Sequence, residues 1–243
     1  MREPRIHVDA VLRSGAELPL PTSAAAHVQR VLRLRAGSTL ILFDGRGGEY
    51  RAELLSTART QALVRVGDHL AIERESPLHI TLLQGVSRGE RMDHIVQKAT
   101  ELGVARIVPV VTEFSVVRLD AAQGARRRDH WQGIVIAACE QCGRNRVPAV
   151  EAPMSLAAAL AALPAAMLRL LLEPGADSSL ASTPRDIAMA LLVGPEGGLS
   201  AAEVRQAIQC GFVGRSMGPR ILRTETAPLV ALSVLQALAG DLA

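Results

Sequence analysis

The sequence predicts an α/β protein in two parts: a small β-barrel domain over residues 1–74, then a larger domain over 75–243 built on a mostly parallel sheet. Three observations predict it. Short candidate strands separated by turn residues fill the N-terminal part; strands alternate with helices after it; and Glu73–Pro77, charged and ending in proline, separates the two patterns. The chain has 243 residues, 49% of them hydrophobic, enough to bury a sizeable core.

In the first part, Ser38–Phe43 reads as a strand, Gly45 to Gly48 as a turn and Glu49–Leu55 as the return strand. Gln61–Val66 alternates apolar and polar residues, as a half-buried strand does. One short helix, Ser23–Leu34, interrupts this series, and strands at this spacing suggest a small barrel. In the second part, His79–Val86 and Arg106–Val111 read as strands, and Arg91–Leu102 between them as an amphipathic helix. Arg127–Cys142 is a further helix, and Ala157–Ala166 a short one. Met167–Leu172 and Met189–Val193 are buried strands, followed by helices Ser200–Gln209 and Thr226–Ala239.

Composition excludes several functions. No apolar stretch approaches the ~18 residues of a membrane span. The N-terminus opens with charged residues rather than an apolar core, so no secretory signal is expected and the cytoplasm is the default location. Three cysteines, Cys139, Cys142 and Cys210, are too few for a disulfide framework. Cys139 and Cys142 form a Cys-x-x-Cys, but a structural zinc site needs a second pair, so packing is the expected role and no metal site is assigned. With an aromatic content of 2%, the chain lacks the rings on which a single-strand binder stacks successive bases. Lys98 is the sole lysine, and arginine supplies the rest of a pI near 9.1. Arginine forks suit phosphates, and a GC-rich genome writes the same bias. The run Arg126-Arg127-Arg128 precedes the expected helix at 127, where a phosphate partner or a plain exposed loop would account for it.

Three strand ends look alike. Leu172 runs into Glu173-Pro174-Gly175, Val193 into Gly194-Pro195-Glu196-Gly197-Gly198, and Met217 into Gly218-Pro219-Arg220. In open parallel sheets ligands bind beyond the carboxyl ends of the strands. Ser200 and Glu203 are spaced as a capping box, which fixes the start of the helix behind the second loop. Each loop alone could be a plain turn or an anion cradle. The phosphate-loop and dinucleotide glycine patterns are both missing, which disfavours those enzyme classes. Arg223-Thr224-Glu225-Thr226 then clusters polar groups just before an apolar helix, more of them than a capped helix start requires.

The loop Gly194–Gly198, followed by Met217–Ala227, resembles the RsmE family of ribosomal small-subunit RNA methyltransferases, of the SPOUT superfamily. The resemblance extends through Arg91-Met92-Asp93, Gln97 to Val104, Trp131, Ala138, Glu140, Gln141, Arg144, Val147, Pro148, His27, Arg30 to Arg33, Asp44 and Gly45. Met217 stands where leucine is usual and Cys142 where serine is commoner, both tolerable exchanges.

The resemblance implies a PUA-like RNA-binding barrel, then a knotted SPOUT-type α/β domain, working as a homodimer on 16S ribosomal RNA or the small ribosomal subunit, with no membrane role. It implies S-adenosylmethionine-dependent methylation of uridine N3. By the same match, Leu172, Glu173, Gly194, Pro195, Glu196, Gly197, Met217, Gly218, Ile221, Leu222 and Thr224 fall at the methyl-donor pocket. Transfer needs alignment of methyl carbon and nucleophile, and a cation to offset charge on the base. Arg223 is the candidate cation, and Glu225 its orienting partner or the general base. Arg5, Arg30, Arg33, Arg88, Arg91, Arg144 and Arg146 are the candidates for RNA contact. The rival readings are a ribose 2′-O-methyltransferase of the same superfamily and a non-catalytic RNA-binding assembly factor. The intact glycine loops and Arg223–Glu225 weigh against the second.

Overall fold

The computed structural model describes residues 3–58, 61–115, 120–184 and 188–242. Its contacts divide the chain into two units, Met1–Glu75 with Cys139–Val147 and Ser76–Ala138 with Pro148–Ala243.

The first unit holds β1 (Arg5–His7), β2 (Glu17–Pro19), α1 (Thr22–Ala26), β3 (Thr39–Phe43), β4 (Glu49–Ala58) and β5 (Gln61–Leu70). Among the described residues the strands form a five-stranded sheet of order β1-β3-β4-β5-β2, antiparallel except where β1 runs beside β3. β1 and β2 are too short to show alternation in the sequence. β2 carries Pro19 and lies at the edge, where a missing N–H costs no ladder bond. The expected helix over 23–34 is shorter: α1 gives way to a π-helical turn, His27–Val31. There the Leu32 N–H reaches back to the His27 carbonyl at 3.0 Å, and Arg33 follows with φ +52°. Ile6, Val8, Val28, Leu40, Leu42, Leu54, Val64 and Val66 form the core.

Residues 139–147 also belong to this unit, a correction to a second domain running unbroken from 75. A buried ionic cluster supplies the reason. Arg5 lies over the Phe43 ring at 4.9 Å, donates to the Glu49 carboxylate and donates again to Asn145 Oδ1 and the Arg144 carbonyl. Asn145 donates to Glu49 and to the Ile72 carbonyl. Arg144 pairs with Glu75. Arg5 and Arg144 are 7% and 6% exposed, so the reading of both as RNA contacts is corrected: their side chains hold this unit together. Arg30, Arg33 and Arg146 are exposed; Arg146 lies 3.6 Å from Glu73. Cys139 is buried, and burial pushes its thiol up to about 12.

The second unit is built on β6 (His79–Gly85), β7 (Arg106–Val111), β8 (Ala149–Val150), β9 (Met154–Ser155), β10 (Leu168–Leu172), β11 (Ala188–Val193) and β12 (Val213–Arg215). Every strand pair is parallel, in the order β12-β10-β11-β6-β7-β8, with β9 also paired to β7. The helices are α2 (Glu90–Glu101), α3 (Ala121–Cys142), α4 (Leu156–Ala161), α5 (Ala201–Gln209) and α6 (Ala227–Ala239). α3 starts well before residue 127, so the triple-arginine run lies inside a helix rather than ahead of one, and Arg128 pairs with Asp129.

Strand alternation sends Leu83, Val108, Val110, Leu171, Ala190 and Leu192 into a cluster with Leu156, Leu160, Ala207 and Phe212. Their neighbours Ile80, Leu82, Met189 and Leu191 face the other side, also buried. α2 packs on α6, pinned by Gln236, which donates to the Leu102 carbonyl and accepts from Ser76. Trp131 of α3 is buried and donates to Asp93 of α2. No described helix is long and apolar enough to cross a membrane.

Candidate active site

The strand order decides where the site lies. β12, β10 and β11 are adjacent, so the three glycine-containing loops at their carboxyl ends are neighbours although they are far apart in sequence. β6 lies beside β11 and ends in the same place with Gly85-Val86-Ser87.

Close backbone packing shapes the second loop. A Cβ on Gly85 would stand 2.4 Å from the Pro195 nitrogen, so only glycine lets β6 end against this turn. The Gly198 N–H closes the turn on the Pro195 carbonyl at 2.9 Å, and Gly198 has φ +73°. The capping box of α5 is formed: Ser200 accepts from the Glu203 N–H, and Glu203 Oε2 accepts from the Ser200 N–H at 2.9 Å. The other carboxylate oxygen, Oε1, accepts from the Glu113 N–H at the end of β7, also at 2.9 Å.

The third loop is tied to the second. Thr224 is buried, and its hydroxyl donates to the Gly194 carbonyl at 3.0 Å and lies 3.3 Å from Ser87 Oγ. The Arg223 carbonyl accepts from the N–H groups of Thr226 and Ala227 and so starts α6, with Pro228 in the first turn.

These loops enclose a cleft of about 580 Å³, within the ~300–1,000 Å³ typical of small-molecule and cofactor sites. Its apolar walls are Leu172, Val193, Met217, Ile221 and Leu222; Ile221 is 84% exposed, an apolar side chain held open to solvent. A row of alternating charge runs along one side. Glu196 accepts from the Arg88 N–H at 3.0 Å and from Arg91 Nη1 at 2.8 Å. Arg91 Nε lies 3.8 Å from Glu225, which in turn lies 3.9 Å from Arg223. Burial raises the pKa of Glu196, but hydrogen bonds from the Arg88 N–H, its own N–H and Arg91, with the charge of Arg91, outweigh it and hold the carboxyl below the usual value. Arg223 is 80% exposed, its guanidinium free to meet a ligand.

Leu172, Glu173, Gly194, Pro195, Glu196, Met217, Gly218, Ile221, Leu222, Thr224, Arg223 and Glu225 all line this cleft. Gly197 does not: a Cβ there would stand 2.8 Å from the Phe114 Cβ, so this glycine makes room for a neighbouring ring. Arg91, read from sequence as an RNA contact, lies in the cleft wall. Arg88 is exposed beside it, using its backbone on Glu196. Sequence reasoning missed Pro174, Gly198, Arg215 and Arg220 as lining residues. Arg215 could have been found only from the parallel register that sets it opposite Leu172.

Residues 74–236 match the model of an RNA methyltransferase domain, and residues 20–67 that of an RNA methyltransferase PUA domain. The ribosomal RNA small subunit methyltransferase E of Buchnera aphidicola (subsp. Schizaphis graminum) is 32% identical over 99% of this chain and 98% of its own. That of Bacillus subtilis is 33% identical over 88% of this chain and 89% of its own. Among solved structures, the ribosomal RNA small subunit methyltransferase E of Neisseria gonorrhoeae, bound to S-adenosylmethionine, superposes with a TM-score of 0.93 at 39% identity, covering 100% of both chains. The Legionella pneumophila protein Lpg2936, in complex with S-adenosylmethionine, superposes at 0.95 with 41% identity, covering 99% of this chain and 100% of its own.

Proposed function

The chain belongs to the ribosomal RNA small subunit methyltransferase E family, and from that premise we propose that it transfers the methyl group of S-adenosylmethionine to N3 of a uridine in 16S ribosomal RNA. Its fold is accordingly a PUA-like domain followed by a SPOUT-type α/β domain. The observation that carries the reading is the cleft itself. Three loops of one parallel sheet meet in a space of cofactor size, largely apolar, with Arg223 and Glu225 at its mouth. That combination fits a nucleoside carrying a sulfonium better than a polyphosphate, which would need more cations and the missing lysine loop.

The bound donor supplies an electrophilic methyl group on a sulfonium whose charge is lost on transfer. The residues of the chain supply placement and charge. The apolar walls exclude water from the reacting atoms. Uridine N3 holds a proton at neutral pH, and its removal leaves negative charge shared with O2 and O4. Arg223, exposed and only loosely paired, is positioned to meet that charge. Glu225 lies between the guanidinium groups of Arg91 and Arg223 and orients the latter. Glu196 fixes Arg91 and so steadies the whole row. The exposed Arg30, Arg33, Arg88 and Arg146 contact RNA phosphates. The protein acts as a homodimer in the cytoplasm on the small ribosomal subunit.

The test is incubation of the protein with labelled donor and small-subunit RNA, followed by reverse transcription. A methyl on N3 blocks the pairing edge of the base and stops the polymerase at one uridine. Label incorporated without a stop would move the product to a ribose hydroxyl and overturn the N3 assignment. No incorporation into either free RNA or assembled subunits would overturn the enzyme reading.

A further inference from the structure

The structure assigns a second function to the β10–β12 side of the cleft: Arg215 and Glu173 together hold the zwitterionic amino-acid end of the methyl donor, an assignment that rests on the donor reading above. Arg215 closes β12 and stands opposite Leu172 in the parallel register, and the Glu173 N–H donates to its carbonyl at 3.1 Å. Both residues line the cleft. Gly214 makes the room, since a Cβ there would stand 3.0 Å from Glu173 Oε2. So a cation and an anion sit side by side at one edge of the cavity. Among the described residues neither has an ion-pair partner within 4.0 Å, each other included.

The other arginines of the cleft do not share this state. Arg91 is committed to Glu196, and Arg223 stands in solvent beside Glu225. Arg215 instead has its Nε shut away from water with no acceptor. Native structures rarely keep such a donor without reason. Arg5 has a bare Nε too, but its terminal nitrogens are already bonded inside the first unit. A carboxylate approaching side-on bonds Nε and one Nη at once, the geometry in which arginine binds carboxylates most strongly. The Glu173 carboxylate beside it complements an α-ammonium. An α-amino acid group presents these two charges at the same short separation. No other part of a nucleoside thioether does.

The test is calorimetric titration of the full chain with two probes. S-adenosylhomocysteine carries the amino-acid end, and 5′-methylthioadenosine shares its nucleoside and thioether but lacks that end. The unsubstituted protein should bind the former more tightly. Arg215→Met should weaken S-adenosylhomocysteine by about tenfold or more, the cost of a charge-assisted bond, and leave methylthioadenosine within about twofold. Retained methylthioadenosine binding shows that the variant is folded. Arg215→Lys should restore part of the loss, and Glu173→Gln should show the same selective weakening. Equal loss of both probes in R215M, or loss of neither, overturns the assignment while the donor reading stands. Failure of the unsubstituted protein to bind S-adenosylhomocysteine or S-adenosylmethionine overturns the donor reading, and the assignment with it.

Discussion

Arginine does opposite work in the two units of this molecule. In the first, the Arg5 and Arg144 side chains are 4% and 7% exposed and their terminal nitrogens meet carboxylates and carbonyls. In the second, Arg223 is 80% exposed and 3.9 Å from its nearest carboxylate, and Arg215 keeps a buried nitrogen bare. Residue type and local sequence do not separate these cases. What separates them is whether the protein itself fills the guanidinium's donors. A filled fork is structural, because removing it strands the partner charge. An unfilled one facing a cavity is available to a ligand.

The sharpest way to break this contrast is Arg223→Ala. Loss of a charge-stabilising donor should lower single-turnover methyl transfer by roughly 10²–10³-fold, with donor affinity by calorimetry nearly unchanged. Parallel loss of both would make Arg223 a binding residue and erase the distinction. Arg5→Ala is the converse experiment. It should lower stability by about 3 kcal/mol, the lower end of the range for a broken buried pair, because Arg74 still reaches Glu49 at 3.2 Å. The denaturation midpoint reports it. A midpoint unchanged, with RNA binding weakened, would return Arg5 to the RNA-contact role.

A smaller effect sharpens the same comparison through pH. Burial raises the pKa of Glu49, but hydrogen bonds from Arg5, Asn145 and Arg74 and the charge of Arg5 outweigh it and hold the carboxyl below its ordinary 4.5. A carboxyl lowered by folding stabilises the native state above that ordinary value, and this contribution disappears as pH falls through the lowered one. Stability should therefore decline below pH 4.5, and less steeply in Glu49→Gln, which starts from a lower plateau. Identical slopes in the two proteins would remove Glu49 as the cause. Glu196 is lowered too, but its side chain is 26% exposed, so solvent screening leaves it a smaller share.

Much of the second unit was legible in the sequence because its signals are local. The buried run of β11 and the Ser200–Glu203 box announce a strand and a helix start within a few residues of each other. β1, β2 and β12, at three residues each, are too short to display a period, and only partner strands across the sheet sustain them. Gly197 shows why glycine loops over-predict binding. Its missing side chain serves Phe114, and nothing in a loop's own sequence says which neighbour a glycine accommodates. The roles of Arg5 and Arg144 were hidden for a different reason. Their acceptors Glu49 and Glu75 lie 44 and 69 positions away, beyond any window in which charge pairing can be read.

Glu203 carries a consequence for motion as well as for architecture. Its two carboxylate oxygens separately receive the amide hydrogens of Ser200 and Glu113. Local opening of either segment therefore loosens a group that protects the other. Deuterium uptake at these two amides should rise together in Glu203→Ala, whereas a rise at Ser200 alone would mean that the end of β7 is protected by other means. The start of α5, directly behind the glycine loop of the cleft, would then breathe in step with the end of β7.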